Sequence, residues 1–184
     1  LSIRFGATGE VRDNLALLRA VRAADPDAFI AFKPHPDVEA GYRRGAVPDA
    51  EARALADLVL SRAPIAPLLG QVEEVHTLTS LTGFEALLRG LRVTCWGQPF
   101  YAGWGLTEDR LPIPRRVRRL SVDELVAGAL ILFPRYQDPV SELPCPPEAL
   151  LDRLADAAAW KAGPLARLRR WQGRAMARLL PGRG

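Results

Sequence analysis

Two cysteines, two histidines and one methionine in 184 residues remove whole classes of protein at the outset. Cys95 lies in an apolar strand pattern and Cys145 among prolines, too few for a disulfide scaffold or a metal knuckle, and a reducing compartment is the expectation. His35 and His76 stand alone, with no Cys or carboxylate cluster at ligand spacing, so no metal cofactor is expected. No apolar run approaches the roughly 18 residues of a spanning helix, and the first residues lack the basic-then-hydrophobic order of a secretory leader. The sequence therefore reads as cytoplasmic, with peripheral attachment to a membrane surface left open. A phosphate-binding P-loop, a GxGxxG turn after a strand and a serine nucleophile elbow are all missing. The first residue is leucine, and the expectation is a chain cut from something longer.

Acid is missing from the end. Residues 161–184 carry Lys161, Arg167, Arg169, Arg170, Arg174, Arg178 and Arg183 and no Asp or Glu, which places +7 there against +4 overall and leaves −3 for the body. The body is therefore not a basic nucleic-acid binder, and its positive character is local, which suits one anionic ligand or a surface better than a long duplex.

What is present organises itself around Val75–Trp104. A short apolar strand, a Thr/Ser turn, an amphipathic helix ended by Gly90, a second apolar strand and a loop dense in Gly and aromatics make one βαβ unit. Before it, Leu1–Gly9 shows a weak alternation through Ile3 and Phe5. Val11–Ala24 repeats apolar residues at helical spacing up to the stop at Asp25-Pro26, and Ala28–Phe32 reads as a central strand. Residues 38–49 read as loop, Ala50–Ala56 as helix, Leu58–Leu60 as strand, Ala63–Leu69 as a helical turn, and Val75–Thr77 as the next strand. After the unit, Ser121-x-x-Glu124 has the form of a capping box opening a helix to about Leu132. The segment from Pro134 to Pro147 reads as loop, Glu148–Trp160 as helix, and Pro164 opens a last helix. The alternation predicts a three-layer α/β domain of four or five mostly parallel strands over residues 1–145, with C-terminal helices over 146–184.

Two constellations carry candidate chemistry. In Lys33-Pro34-His35-Pro36, prolines on both sides of His35 hold the imidazole just beyond a strand end, where it either serves a phosphate as hydrogen-bond donor, cation or acid, or bonds a backbone carbonyl. In Thr77-x-Thr79-Ser80-x-Thr82-Gly83-Phe84-Glu85, hydroxyls crowd a helix start, Gly83 offers close backbone approach, and Glu85 one turn inside is placed for the hydroxyls of a ribose. The competing reading of the same residues is an ordinary capping box, Thr82-x-x-Glu85. A third feature is the loop Gly97-Gln98-Pro99-Phe100-Tyr101-Ala102-Gly103-Trp104-Gly105, whose aromatics either pack in a satellite core or meet a ligand.

At these residues the chain resembles the capsule polysaccharide biosynthesis glycosyltransferases, specifically the retaining β-Kdo transferases of the lipid-linked Kdo linker. The matching segments are Asn14–Val21, Phe32–Gly45, Val72–Gly90, Gly97–Arg110 and Ser121–Pro139, in family order. The resemblance implies the C-terminal, donor-binding half of a GT-B module, with CMP-β-Kdo as donor and a lipid-linked Kdo acceptor. It implies that His35 with Pro36 engages the CMP phosphate and assists its departure, that Thr79 and Ser80 bind phosphate, and that Glu85 holds the ribose. Lys33, Gly97, Gln98 and Tyr101 would line the same cleft. The family's upstream Gly-Gln-Val-Glu-Asp-Asp-like segment survives only as Ser2-Ile3, and the N-terminal Rossmann-like domain is absent. The expectation is a fragment inactive by itself.

The implied partners are a nucleotide sugar, that missing domain, and the inner-membrane surface. For the last, the apolar face Leu165, Leu168, Trp171, Ala175 and Leu179 among arginines either lies on anionic lipid or packs on the missing domain. A non-catalytic nucleotide-binding or assembly module of a capsule export complex is the alternative. A nucleic-acid module resting on Arg115–Arg119 would show strongly salt-dependent binding and is not expected.

Overall fold

The computed structural model describes residues 2–35, 38, 45–61, 63–139, 141 and 143–156. Pro36 and the terminal helix expected from Pro164 lie outside them. The chain divides into two compact units, one through Leu125 and one from Val126 onward.

In the first unit, helix α1 (Ser2–Gly6) replaces the alternation read from Ile3 and Phe5; two apolar residues are too few to separate a period of two from one of 3.6. Helix α2 is Asn14–Ala24, shorter at its start than the apolar pattern from Val11, because the Asp13 carboxylate accepts the Ala16 N–H at 2.8 Å and sets the first turn there. Its Leu18 and Val21 are buried with Ile30, Ala52 and Ala56, and Phe32, Val59 and Trp96 pack against that cluster.

Strand β1 is Ala31–Phe32 and pairs in parallel with β2 (Leu58–Val59), beyond helix α3 (Asp49–Leu55). A knot closes this region. Arg22 donates to the carbonyls of Leu55, Pro26 and Ala28 and to the Asp57 carboxylate at 2.6 Å, and Asp57 accepts the Ile30 N–H at 2.8 Å.

A short turn, α4 (Ile65–Leu68), leads to β3 (Glu74–Thr77), helix α5 (Leu81–Leu87) and β4 (Arg92–Cys95), as the βαβ reading predicts. Strands β3 and β4 are parallel, His76 opposite Thr94 and Thr77 opposite Cys95. Gly90 ends the helical region with φ of 74°, a backbone conformation that glycine adopts without steric cost. A further parallel strand, β5 (Glu108–Asp109), pairs with β4. Two acidic residues carry no strand signal, so only the tertiary pairing makes it one. The parallel strands form two separate ladders, β1–β2 and β3–β4–β5, where the sequence predicts one sheet.

The capping box forms with both of its bonds, Glu124 N–H to Ser121 Oγ at 3.1 Å and Ser121 N–H to Glu124 Oε2 at 2.7 Å, opening α6 (Val122–Val126). The chain then continues as a π-helical stretch, Ala127–Leu132. In the second unit the expected loop contains a two-stranded antiparallel ribbon, β6 (Tyr136–Gln137) with β7 (Pro144–Cys145). Helix α7 (Pro147–Ala155) stops short of the expected Trp160, since Asp156 leaves helical geometry. Among the described residues no helix is long and apolar enough to cross a membrane.

Candidate functional site

The turn from β3 into α5 is built on hydroxyls. Ser80 takes extended geometry and its Oγ accepts the Thr82 N–H at 3.2 Å, making Ser80 the N-cap. Ser80 and Thr82 hydroxyls lie 3.0 Å apart. The capping box read as Thr82-x-x-Glu85 therefore does not form: with Ser80 as cap, Glu85 sits too far into the helix to reach back. The Glu85 carboxylate is partly buried and makes no hydrogen bond or ion pair among the described residues. Its backbone carbonyl accepts from Arg89 at 2.8 Å.

Below this turn lies a polar knot. The Ser80 N–H donates to Thr77 Oγ1 at 3.1 Å, and the Tyr101 hydroxyl donates to the Ser80 carbonyl. Tyr101 is 0 % exposed and Thr77 is buried. Burial pushes the Tyr101 phenol far above its ordinary range, so it stays a donor at any physiological pH. Tyr101 is thus withdrawn from the ligand contact expected of it, because its one polar atom is spent on the Ser80 backbone. Gly83 has a corresponding use. A methyl there would fall 2.7 Å from Tyr101 Cζ, so the missing side chain makes room for the phenol.

Gly97 and Gln98 are held at the same strand ends. A Cβ on Gly97 would meet the carbonyls of Leu78 and Gly6 at 2.5 and 2.8 Å, while Gln98 donates its N–H to Gly6 at 2.7 Å and its amide to Pro112 at 2.9 Å. Thr79 packs its methyl against Gly6. The aromatic loop closes on itself: Phe100 lies 5.1 Å from Phe84 and 5.2 Å edge-on from Tyr101, and Trp104 donates to the Phe100 carbonyl at 2.8 Å. Arg116 fastens it, donating to the Pro99 and Ala102 carbonyls and lying 5.2 Å over Trp104. Asp109 accepts the Gly103 N–H at 2.9 Å. Sequence reasoning placed Thr77 among the hydroxyls at the helix start but missed Asp109 and Arg116 as supports of this region, since an arginine inside a basic run carries no mark of which carbonyls it will meet.

Lys33 and His35 stand at the end of the other ladder, beyond β1. His35 is exposed, its carbonyl accepts the Val38 N–H at 2.9 Å, and Lys33 Nζ lies 3.3 Å from the Pro34 carbonyl. Trp96 relates the two ladders: its backbone N–H donates to the Thr77 carbonyl at 2.8 Å, and its side chain, an indole, packs against the cluster that also seats Phe32. The same indole donates to His76 Nδ1 at 3.1 Å, and His76 Nε2 lies 3.3 Å from Glu74. Burial lowers the His76 pKa, with Glu74 opposing, and the Trp96 bond requires an unprotonated Nδ1. Among the described residues no group of His, Cys, Asp and Glu gathers to hold a metal ion.

Residues 1–136 match the family described as capsule polysaccharide biosynthesis protein. Over 138 residues the chain is 54 % identical to the capsule polysaccharide modification protein LipA of Neisseria meningitidis, covering 75 % of this chain and 20 % of that one. The lipopolysaccharide-processing protein LpsZ of Rhizobium meliloti is 42 % identical over 135 residues, 73 % of this chain and 30 % of its own. A solved structure of Thermosulfurimonas dismutans KpsC, a β-Kdo 2,7 transferase, superposes with a TM-score of 0.75 at 42 % identity, covering 85 % of this chain and 49 % of that one. The β-Kdo 2,4 transferase of the same KpsC gives 0.64 at 33 % identity, over 75 % and 43 %. The chain thus spans under a third of the length of these curated relatives and about half of each solved transferase. With the match running through both ladders and the β3–α5 turn, the chain is an α/β member of the capsule polysaccharide biosynthesis family.

Proposed function

We propose that this chain is the donor-binding, C-terminal Rossmann-like part of a GT-B-type retaining β-Kdo glycosyltransferase, using CMP-β-Kdo to build the Kdo linker of lipid-anchored capsular polysaccharide. The observation that carries the reading is Glu85, a partly buried carboxylate with no protein partner among the described residues, one turn inside a helix opened by Ser80. A carboxylate so placed is open to donors, and paired ribose hydroxyls supply them. The similarity to two KpsC transferase structures, both β-Kdo transferases, supports the sugar class.

In this reading Thr79, Ser80 and Thr82 offer hydroxyls, and the α5 start its backbone N–H groups, to the CMP phosphate. Lys33 and His35 approach from the end of β1, Pro36 follows them in sequence, and His35 stabilises the phosphate as it departs. Gly97 and Gln98 lie at the same strand ends, while Gly83 and Tyr101 pack against each other beneath the turn. The acceptor is a lipid-linked Kdo chain, and the partners of the basic tail from Lys161 are the cytoplasmic face of the inner membrane or an N-terminal Rossmann-like domain of the same protein.

Titration of the chain with CMP, followed by calorimetry, tests the donor site. Wild type should bind in the micromolar to millimolar range; Glu85→Ala should cost about 1.5–3 kcal/mol, the worth of hydrogen bonds to a charged group, and His35→Ala and Ser80→Ala should weaken binding as well. A non-catalytic nucleotide-binding or assembly module is the second reading, favoured by the engagement of the Ser80 hydroxyl and N–H within its own turn. Indifference of CMP affinity to all three substitutions would select it.

A further inference from the structure

We propose that Tyr101 and Thr77 are positioning residues that couple the aromatic loop to the β3–α5 turn and hold Ser80 in the orientation a phosphate needs; the proposal rests on the nucleotide reading above. Buried side chains reach both peptide groups of Ser80 from below: Thr77 Oγ1 accepts its N–H at 3.1 Å, and the Tyr101 hydroxyl donates to its carbonyl, which also accepts the Gly83 N–H of its own helix at 3.2 Å.

Each member is fixed independently. Thr77 is the last residue of β3, paired with Cys95. Tyr101 is 0 % exposed and lies under Gly83, where only a hydrogen fits. Its loop is fastened by Arg116, which donates to the carbonyls on either side, Pro99 at 2.7 Å and Ala102. A turn held in this way presents the Ser80 hydroxyl and the helix start without reorganising when an anion arrives. Removing that reorganisation is how a side chain that never touches the ligand raises affinity. The effect should therefore follow the phosphate and not the nucleoside.

The whole chain carrying Tyr101→Phe, which keeps the ring and deletes the donor, or the near-isosteric Thr77→Val, is titrated with CMP and with cytidine. Expected is a loss of about three- to tenfold in CMP affinity for each variant with cytidine affinity nearly unchanged, and faster amide exchange at Ser80 with Val93 unaffected. Losses equal for CMP and cytidine, or none, would overturn the positioning role and leave Tyr101 as packing. Should wild type bind neither compound, the nucleotide reading falls, and amide exchange decides the clamp alone: acceleration at Ser80 in both variants supports it, and no change at Ser80 refutes it.

Discussion

Gly83→Ala adds one methyl at the point where α5 rests on the Tyr101 ring. That methyl would sit 2.7 Å from Cζ and 2.9 Å from Cε2, against the roughly 3.5–4 Å of a favourable carbon contact. Tyr101 has no exposed surface to retreat into, and its ring is bounded by Phe100 and Phe84. Overpacking of this kind costs about 1–3 kcal/mol, and displacing the phenol from the Ser80 carbonyl adds about 1 kcal/mol. Alanine is the better helix former and returns about 1 kcal/mol. The net expectation is a destabilisation of about 1–3 kcal/mol, a drop of roughly 2–10 °C in Tm for a chain of this length. Guanidinium denaturation followed by circular dichroism measures it. Adding Tyr101→Phe removes the atom nearest the new methyl, so the double variant should lose less than the sum of the two singles. A Gly83→Ala chain as stable as wild type, or more stable, would refute the reasoning, for that is what an unobstructed helical glycine would give.

Two further outcomes follow from buried groups. The His76 pKa is lowered in the folded chain, so the native state binds fewer protons than the unfolded one near the ordinary histidine pKa of 6.5. Its contribution to stability is complete above pH 6.5 and declines as pH falls from there through the folded value; denaturation midpoints across pH 5 to 8 should show that slope, and His76→Gln should remove it. Cys95 is buried and its thiol is pushed up to about 12, first by burial and then by Asp109, whereas Cys145 is partly exposed. A thiol reagent at pH 8 should therefore modify one cysteine quickly and the second only in denaturant, and two fast thiols in the native chain would contradict the packing of β4.

The sequence by itself determined those features that neighbours within about four residues decide. The apolar spacing of α2 and α5, the run of β3 and β4, the stop at Gly90 and the capping box at Ser121 are such features, and each appears with small shifts at its ends. The shifts have local causes that residue type alone left ambiguous. Asp13 outcompeted the apolar pattern as the start of α2, and Ser80 took the cap from Thr82. Both candidate stretches were visible as clusters of unusual composition, but not what each member does. Gly83 and Tyr101 were read as meeting a ligand, yet they meet each other across 18 positions of chain. Arg116 reaches back 17 and 14 residues to carbonyls that any residue could have offered. The acidic pair of β5 becomes a strand only because β4 supplies its partners. Contacts of this kind depend on which loop ends the packed sheet and helix bring together, and a backbone carbonyl, having the same chemistry at every position, leaves no trace of that choice in the sequence.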